Sequence, residues 1–152
     1  MLYTLIIITL LALDQISKFW ARNILAIKGS IPVISEFLHL TYVENRGAAF
    51  GILSGKITLF LAVTALAIIL LIRYANSQKD NDHARGLYLI IVFIIAGALG
   101  NLIDRAMFGF VTDMIDFRGI WKFVFNVADC YVVCGTSALI FYILKFDKTE
   151  NS

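Results

Sequence analysis

Residues 96–105 read Ala-Gly-Ala-Leu-Gly-Asn-Leu-Ile-Asp-Arg, an apolar segment of small residues that ends in an amide, an acid and a base. Asp113 follows eight residues after Arg105, and the block Phe125-Asn126-Val127-Ala128-Asp129 opens another apolar run. A charged group at the centre of a membrane costs about 2.5–3.5 kcal/mol on insertion scales, so charges held beside hydrophobic helices usually have a function. Two aspartates brought together in such a place are the minimal apparatus of an aspartic hydrolase.

The composition indicates a membrane protein. The chain has 152 residues, of which 60% are hydrophobic and only 16% are charged, and its mean hydropathy is +0.84. So few polar residues cannot cover the surface of a soluble domain of this size, and lipid must cover part of it. The net charge of +2 and the scattered basic residues give no sign of a nucleic-acid partner.

Four apolar segments reach spanning length once their polar flanks are included, at about 2–20, 57–73, 86–104 and 129–145. We therefore expect one integral membrane domain over residues 1–152. Because polar residues such as Asp14, Asp104 and Asp129 complete these spans, they should lie near a membrane surface rather than at its centre. The first segment has neither a basic start nor a small-residue cleavage site, which favours a retained span over a signal peptide.

A small β-sheet is expected beside the helices. Residues 30–50 contain the alternating run Leu38-His39-Leu40-Thr41-Tyr42-Val43, followed by a turn at Asn45-Arg46-Gly47. Residues 120–127 are rich in aromatic side chains, as interfacial segments are. The predicted fold is a mainly α membrane protein with four transmembrane helices and a β-sheet cradle at about 30–50, on the membrane face that carries the polar groups.

Four spans place both termini on one side of the membrane, but the charges do not say which side. If the termini are cytoplasmic, five basic residues lie on that side and eight on the other, against the positive-inside rule. The topology is therefore open from charge alone.

The third span ends in a polar face, because Asn101, Asp104 and Arg105 are separated by three and four positions on a helix. Gly97 and Gly100 on the same segment should let a neighbouring helix approach closely. A helix-end cap with a structural Asp–Arg pair explains these residues as an alternative to a functional site.

Asp129 alone is explained equally well as a carboxylate at a helix N-terminus that Asn126 caps. Asp113 lies sixteen residues before it, and both are expected at the ends of loop segments facing one membrane surface. Two carboxylates at close range in a low-dielectric pocket share one proton, so one can activate water while the other polarises a carbonyl. Asp116 is a competing partner, although a solvated loop acid is the simpler explanation for it.

Two other classes of protein stay open, and a third is disfavoured. His39 and His83 lie outside the spans and no His-Glu-x-x-His motif is present, which argues against a zinc protease. A non-catalytic scaffold would use its glycines for helix packing, and Asp113→Asn would leave it unchanged. A small transporter would conduct ions through a polar relay formed by Asp14, Asp104, Arg105 and Asp129.

The chain resembles the lipoprotein signal peptidase family, also called signal peptidase II, of bacterial membrane aspartic proteases. The resemblance covers nearly the whole chain. Five blocks match in order: Asp14-Gln15 with Lys18, residues 45–50, residues 96–105, Val111-Thr112-Asp113, and Phe125-Asn126-Val127-Ala128-Asp129. Thr112 stands where valine is common in the family, and Cys130 where serine is common. Neither change is expected to abolish activity.

The resemblance implies that Asp113 and Asp129 are the catalytic dyad. It implies substrate-binding or supporting roles for eight further residues: Asp14, Lys18, Asn45, Gly47, Asn101, Asp104, Arg105 and Asn126. The implied substrate is a prolipoprotein whose lipobox cysteine already carries a diacylglyceryl group, and cleavage falls on the amino side of that cysteine. No metal or other cofactor is implied.

A location and an assembly follow from the same resemblance. The family works as a multi-pass protein in the bacterial cytoplasmic membrane, with membrane lipids around it. Its termini are cytoplasmic and its active site and sheet cradle lie near the extracytoplasmic surface, which overrules the charge count. A monomer is expected.

Overall fold

The computed structural model describes residues 1–47 and 57–146. Within these residues, four helices are long and apolar enough to cross a membrane. They are α1 (Leu2–Trp20), α2 (Ile57–Ser77), α3 (Ala84–Phe108) and α4 (Val127–Phe146). A π-helical segment (Ala21–Leu25) and a last α-helical turn (Ala26–Lys28) prolong α1. The predicted fold class, four membrane helices with a small sheet, is confirmed.

The helices extend beyond the spans expected from the sequence. Helix α2 continues four residues further, to Ser77, and α3 begins two residues earlier and ends four residues later, at Phe108. At a rise of 1.5 Å per residue, the 25 residues of α3 are about 37 Å long, enough to cross the hydrocarbon core and enter the headgroup region. This length is consistent with the expectation that the polar end of α3 lies near a membrane surface.

Small residues let α3 pack closely against α1 and α4, as predicted. A Cβ atom added to Gly97 would collide with the carbonyl oxygen of Ala128 at the start of α4. One added to Gly100 would collide with the carboxylate of Asp14 on α1. Glycine at these two positions makes room for a backbone and for a charged side chain, respectively.

The sheet has four antiparallel strands in the order β1 (Ser30–Ile34), β2 (Leu38–Asn45), β3 (Val111–Phe117) and β4 (Val124–Phe125). The expected cradle at 30–50 thus supplies only half of the strands, and the segment between α3 and α4 supplies the rest. Positions 48–50 of the expected cradle lie outside the described residues. Backbone pairing between β2 and β3 joins segments far apart in the chain, which local alternation cannot reveal.

The register of β2 and β3 is irregular next to the polar cluster. Leu40 pairs with Ile115 and Val43 pairs with Asp113, so three steps along β2 match two steps along β3. This is a β-bulge, which bends a strand and changes the direction of neighbouring side chains. One face of the sheet packs through Met114 on the π-helical segment that prolongs α1.

The sheet lies at one end of the helix bundle, and the first residues of the chain and Phe146 lie at the other. Tyr3 near the start of α1 stacks on Tyr88 near the start of α3, with ring centroids 5.5 Å apart. His83, just before α3, contacts Phe146 at the end of α4, at 4.1 Å between centroids. The first residues and the last described residue therefore share the end of the bundle away from the sheet.

Candidate active site

Asp113 lies within β3, rather than at the end of a loop segment as the sequence suggested. Only 2% of the residue is exposed. One carboxylate oxygen accepts a hydrogen bond from the Asn45 amide at 2.9 Å, and the other accepts one from the Asn126 amide at 2.6 Å. Burial raises the pKa of the Asp113 carboxyl from its usual 3.8 to about 6, the Asn126 bond opposes that rise, and the charge of Asp129 adds to it.

Asp129 occupies the first turn of α4, where a carboxylate interacts favourably with the helix dipole. One of its oxygens accepts a hydrogen bond from the Asn101 side chain at 2.8 Å. The other accepts one from the backbone N–H of Asn126 at 3.1 Å. The amide oxygen of Asn126 in turn accepts from the backbone N–H of Asp129 at 2.9 Å, which completes a reciprocal capping box.

A single amide side chain thus connects the two aspartates. The NH₂ group of Asn126 donates to Asp113, while its oxygen caps the helix that carries Asp129. Asn126 is fully buried, so both of its bonds are shielded from competing water. The two carboxylates are therefore held in a fixed relation across the junction of β4 and α4.

Behind the dyad lies a buried ionic cluster formed by Asp14, Lys18 and Asp104, all with zero exposure. The Lys18 ammonium is 2.9 Å from Asp14 and 3.7 Å from Asp104. Asp14 also accepts from the backbone N–H of Ala128 at 2.9 Å, which ties α1 to the start of α4. Asp104 accepts from the backbone N–H of Thr112 at 2.9 Å, which ties α3 to β3. The cluster joins the elements that carry the two aspartates.

Asn101 connects this cluster to Asp129 through hydrogen bonds on both sides. Its oxygen accepts a hydrogen bond from Lys18 at 2.9 Å, which forces its NH₂ group to face Asp129. Arg105, four positions after Asn101 on the same helix face, donates to the carbonyl oxygens of Asn101 and Gly47, each at 3.4 Å. The Gly47 N–H donates to the Asn45 side chain at 3.1 Å.

All ten site residues expected from the sequence belong to one continuous hydrogen-bonded network. It runs from the ionic cluster through Asn101 to Asp129, and through Asn126 to Asp113 and Asn45. Their roles in catalysis stay predictions. Asp116 is not part of the network, because it accepts hydrogen bonds from Thr41 at 3.1 Å and from Arg118 at 3.1 Å on another part of the sheet.

A cavity of about 900 Å³ gives access to both aspartates. Its polar wall includes Asn45, Arg105, Asp113 and Asp129, and its apolar wall is formed by side chains of the β3–β4 segment and of α4. Val133 on that wall, from α4, is 59% exposed. The cavity can therefore accept a polar backbone on one side and apolar chains on the other.

Three residues of the site region were missed by sequence reasoning as functional candidates. The Gln15 amide lies within 3.2 Å of Asp14, Asp104 and the Gly100 carbonyl oxygen. Arg22 and Thr112 bond to each other at 2.9 Å beside Asp104. Gln15 stood in a matching block of sequence, but nothing in the local pattern indicated the partner of Arg22.

Within residues 1–47 and 57–146, no group of three or more histidine, cysteine or acidic side chains is arranged to hold a metal ion.

The fold and the site define a multi-pass membrane protein in which two aspartates, one buried and one partly buried, line one cavity, the arrangement used by aspartic hydrolases. A family model described as signal peptidase (SPase) II matches residues 6–145. The chain is 52% identical over 151 residues to the lipoprotein signal peptidase of Clostridioides difficile, covering 99% of this chain and all of that protein. It is 41% identical to the one of Fusobacterium nucleatum, covering 99% of this chain and 91% of that protein.

A solved bacterial membrane enzyme has the same fold. The TM-score is 0.82 at 34% sequence identity, and the match covers 99% of this chain and 92% of the other. The chain belongs to the signal peptidase II family of membrane aspartic proteases. The predicted family and enzyme class are confirmed.

Proposed function

We propose that this chain removes signal peptides from diacylglyceryl-modified prolipoproteins, with Asp113 and Asp129 as the catalytic dyad. The observation that carries the assignment is the bridge through Asn126, which holds the buried Asp113 and the partly buried Asp129 at one cavity wall. Family membership supports the reaction and the substrate class. Cleavage falls on the amino side of the lipobox cysteine.

The dyad works with one proton shared between its two carboxyl groups. The ionised carboxylate takes a proton from a water molecule as the water oxygen attacks the scissile carbonyl carbon. The protonated carboxyl donates a hydrogen bond to the carbonyl oxygen and stabilises the negative charge that develops there. When the C–N bond breaks, a proton passes from the dyad to the leaving amine. The raised pKa of Asp113 supports a carboxyl that keeps a proton near neutral pH.

Neighbouring side chains bind the substrate backbone. Asn45 and Arg105 line the cavity beside the dyad and present amide and guanidinium N–H groups to it. The Gly47 backbone lies at the same wall and leaves room for a close approach of the peptide. Asp14, Lys18, Asn101 and Asp104 hold the dyad rather than the substrate, because the buried cluster ends at Asn101.

The cavity position suits a substrate that stays anchored in lipid. Its apolar wall on α4 includes the exposed Val133, so the diacylglyceryl chains can remain in the bilayer while the peptide enters from the side. Anchoring raises the effective concentration of the scissile bond at the dyad. The amphipathic walls favour a lipidated peptide over a free one.

We assign the termini to the cytoplasm, and the sheet and dyad to the extracytoplasmic surface of a bacterial cytoplasmic membrane. The first residues of the chain and Phe146 lie at the end of the bundle opposite the sheet, which supports this assignment. We also propose that the enzyme works as a monomer. A reporter fused to the C-terminus tests the orientation, since the assignment fails if the reporter is active only outside the cytoplasm.

The direct test is cleavage of a diacylglyceryl-modified lipobox peptide by purified protein in detergent. Asp113→Asn and Asp129→Asn should each abolish cleavage without unfolding the protein. Asp116→Asn is the matched control, because this aspartate lies in the same strand as Asp113 and bonds to Thr41 and Arg118 instead. Full activity in either dyad variant would overturn the assignment, and equal cleavage of unlipidated peptide would overturn the anchoring.

A further inference from the structure

Arg22 and Thr112 form a partly buried polar contact that the proposed chemistry leaves unused. Arg22 Nη1 donates to Thr112 Oγ1 at 2.9 Å, and Thr112 has zero exposure. Arg22 lies in the π-helical segment Ala21–Leu25, and π-helical turns occur frequently at functional sites. Thr112 immediately precedes Asp113 in β3.

We propose that Arg22 and Thr112 are positioning residues that set the direction of the Asp113 carboxyl. The proposal rests on the role of Asp113 in the proposed function. It follows from the alternation of side chains along β3, in which Thr112 and Met114 point to one face and Asp113 to the other. Fixing the two flanking side chains fixes the rotation of the strand, and thereby the Cα–Cβ direction of Asp113.

Both flanking residues are anchored on the same π-helical segment. Met114 packs on Ala21 and Leu25 in a small apolar cluster. Thr112 accepts from Arg22 through its hydroxyl. One apolar and one polar contact therefore hold β3 against the prolongation of α1, with Asp113 directed away from it.

Arg22 is itself held from several directions, so it is a rigid anchor. Its guanidinium lies over the Phe108 ring at 4.4 Å from the centroid, at the end of α3. It is also 3.7 Å from Asp104, which accepts the backbone N–H of Thr112 at 2.9 Å. The planar guanidinium can satisfy a hydroxyl, a carboxylate and an aromatic face together, which an ammonium group cannot. Thr112 is thus held by hydrogen bonds to both its backbone N–H and its side-chain hydroxyl.

The backbone pairing of β3 needs this support at Asp113. The bulge between Leu40 and Val43 interrupts the ladder beside the Val43–Asp113 pair. A strand next to a bulge is less constrained by its hydrogen bonds, so side-chain anchors contribute more to its orientation. With valine at position 112, the hydroxyl acceptor for Arg22 would be absent.

A double-mutant cycle on the full-length enzyme tests the proposal. Thr112→Val and Arg22→Gln should each lower kcat for the lipidated peptide about three- to tenfold with KM unchanged, because neither residue lines the cavity. The double variant should be no slower than Arg22→Gln, since that change already removes the contact with Thr112 together with those to Asp104 and Phe108. Thr112→Ser keeps the hydroxyl and should retain wild-type kcat.

The sheet offers a matched control of the same chemistry. Thr41 and Arg118 both bond to Asp116, so Thr41→Val with Arg118→Gln repeats the cycle away from the dyad. This control should lower the melting temperature at most and leave kcat unchanged. If it lowers kcat by the same factor, general loosening of the sheet explains the effect and the proposal is wrong.

Three results would overturn the proposal: unchanged kcat in folded Thr112→Val, independent and multiplicative effects in the cycle, or no recovery in Thr112→Ser. Asp113→Asn measured in the same assay distinguishes a failure of the proposed catalytic function from a failure of the positioning role. Cleavage by that variant would refute the proposed function itself. An inactive Asp113→Asn together with unaffected anchor variants would refute only the positioning role.

Discussion

Replacing Asn126 with aspartate separates two roles that one side chain combines. The Asn126 oxygen caps α4, and its NH₂ group donates to Asp113 at 2.6 Å. Asn126→Asp keeps an acceptor for the cap, since aspartate and asparagine are comparable in that position. It removes the donor to Asp113 and adds a third carboxyl group beside the dyad. Asn126→Ala removes both bonds.

The expected loss of activity follows from the bond that is removed. A hydrogen bond to a charged group contributes about 1.5–3 kcal/mol. If the dyad needs that bond to hold its geometry, kcat should fall about 10- to 150-fold in Asn126→Asp. The stability should change little at pH 5, because a protonated carboxyl at position 126 still offers an oxygen to the cap and an O–H donor to Asp113. This donor is lost only when the new group ionises at higher pH. Asn126→Ala should in addition lose about 1 kcal/mol of stability through the missing cap.

The assay pairs cleavage of the lipidated peptide at pH 7 with thermal unfolding in detergent at pH 5. The expected pattern is a slow but stable Asn126→Asp and a slow and less stable Asn126→Ala. A folded Asn126→Asp that keeps wild-type kcat would refute the reasoning, because the amide donor would then be irrelevant to the dyad. Equal melting temperatures for Asn126→Ala and wild type would refute the capping role.

Two further predictions concern pH and packing. Since the folded-state pKa of Asp113 is raised to about 6 from 3.8, its contribution to stability is fully present below pH 3.8 and is lost as the pH rises through 6. The free energy of unfolding of wild type relative to Asp113→Asn should therefore fall by a total of up to about 3 kcal/mol as the pH rises from about 4 to about 6, and stay level above that. A melting-temperature difference that stays constant over this range would contradict this. Gly100→Ala should destabilise the protein by about 1–3 kcal/mol, because its Cβ would collide with the Asp14 carboxylate. Gly86→Ala on the same helix, where a Cβ meets nothing within 4 Å, should be neutral or stabilising in the same melting assay.

The helical part of the structure was accessible from local sequence patterns. Apolar length determines a membrane span, and the spacing of Asn101, Asp104 and Arg105 determines a shared helix face. The small residues of α3 likewise predicted close packing, which the collisions at Gly97 and Gly100 bear out. Helix ends were less accurate, because α3 continues past the last strongly apolar residue to Phe108.

Only half of the sheet could be predicted from the sequence. Strands β1 and β2 alternate locally and are joined by a short turn, so the sequence around 30–45 predicted them. Strand β3 was expected to be a loop, because its sequence Val-Thr-Asp-Met-Ile-Asp-Phe carries two acids and its partner strand lies before α2. Its strand conformation depends on that distant partner and on packing against the π-helical segment.

Three properties of this chain can be inferred from its residues alone. It has four segments that span a membrane, acidic and amide residues lie at the ends of these spans, and its motifs are those of a family of membrane proteases. These properties depend on composition, on short-range periodicity and on ordered motifs, all of which can be read along the chain. Three contacts are known only from the tertiary structure. Lys18 donates to Asn101, Asn126 connects Asp113 with Asp129, and Arg22 donates to Thr112. Those contacts join residues 83 and 90 positions apart in two cases, and they depend on helix packing and strand register. No local pattern encodes them, because each partner is chosen by the space that the other elements leave.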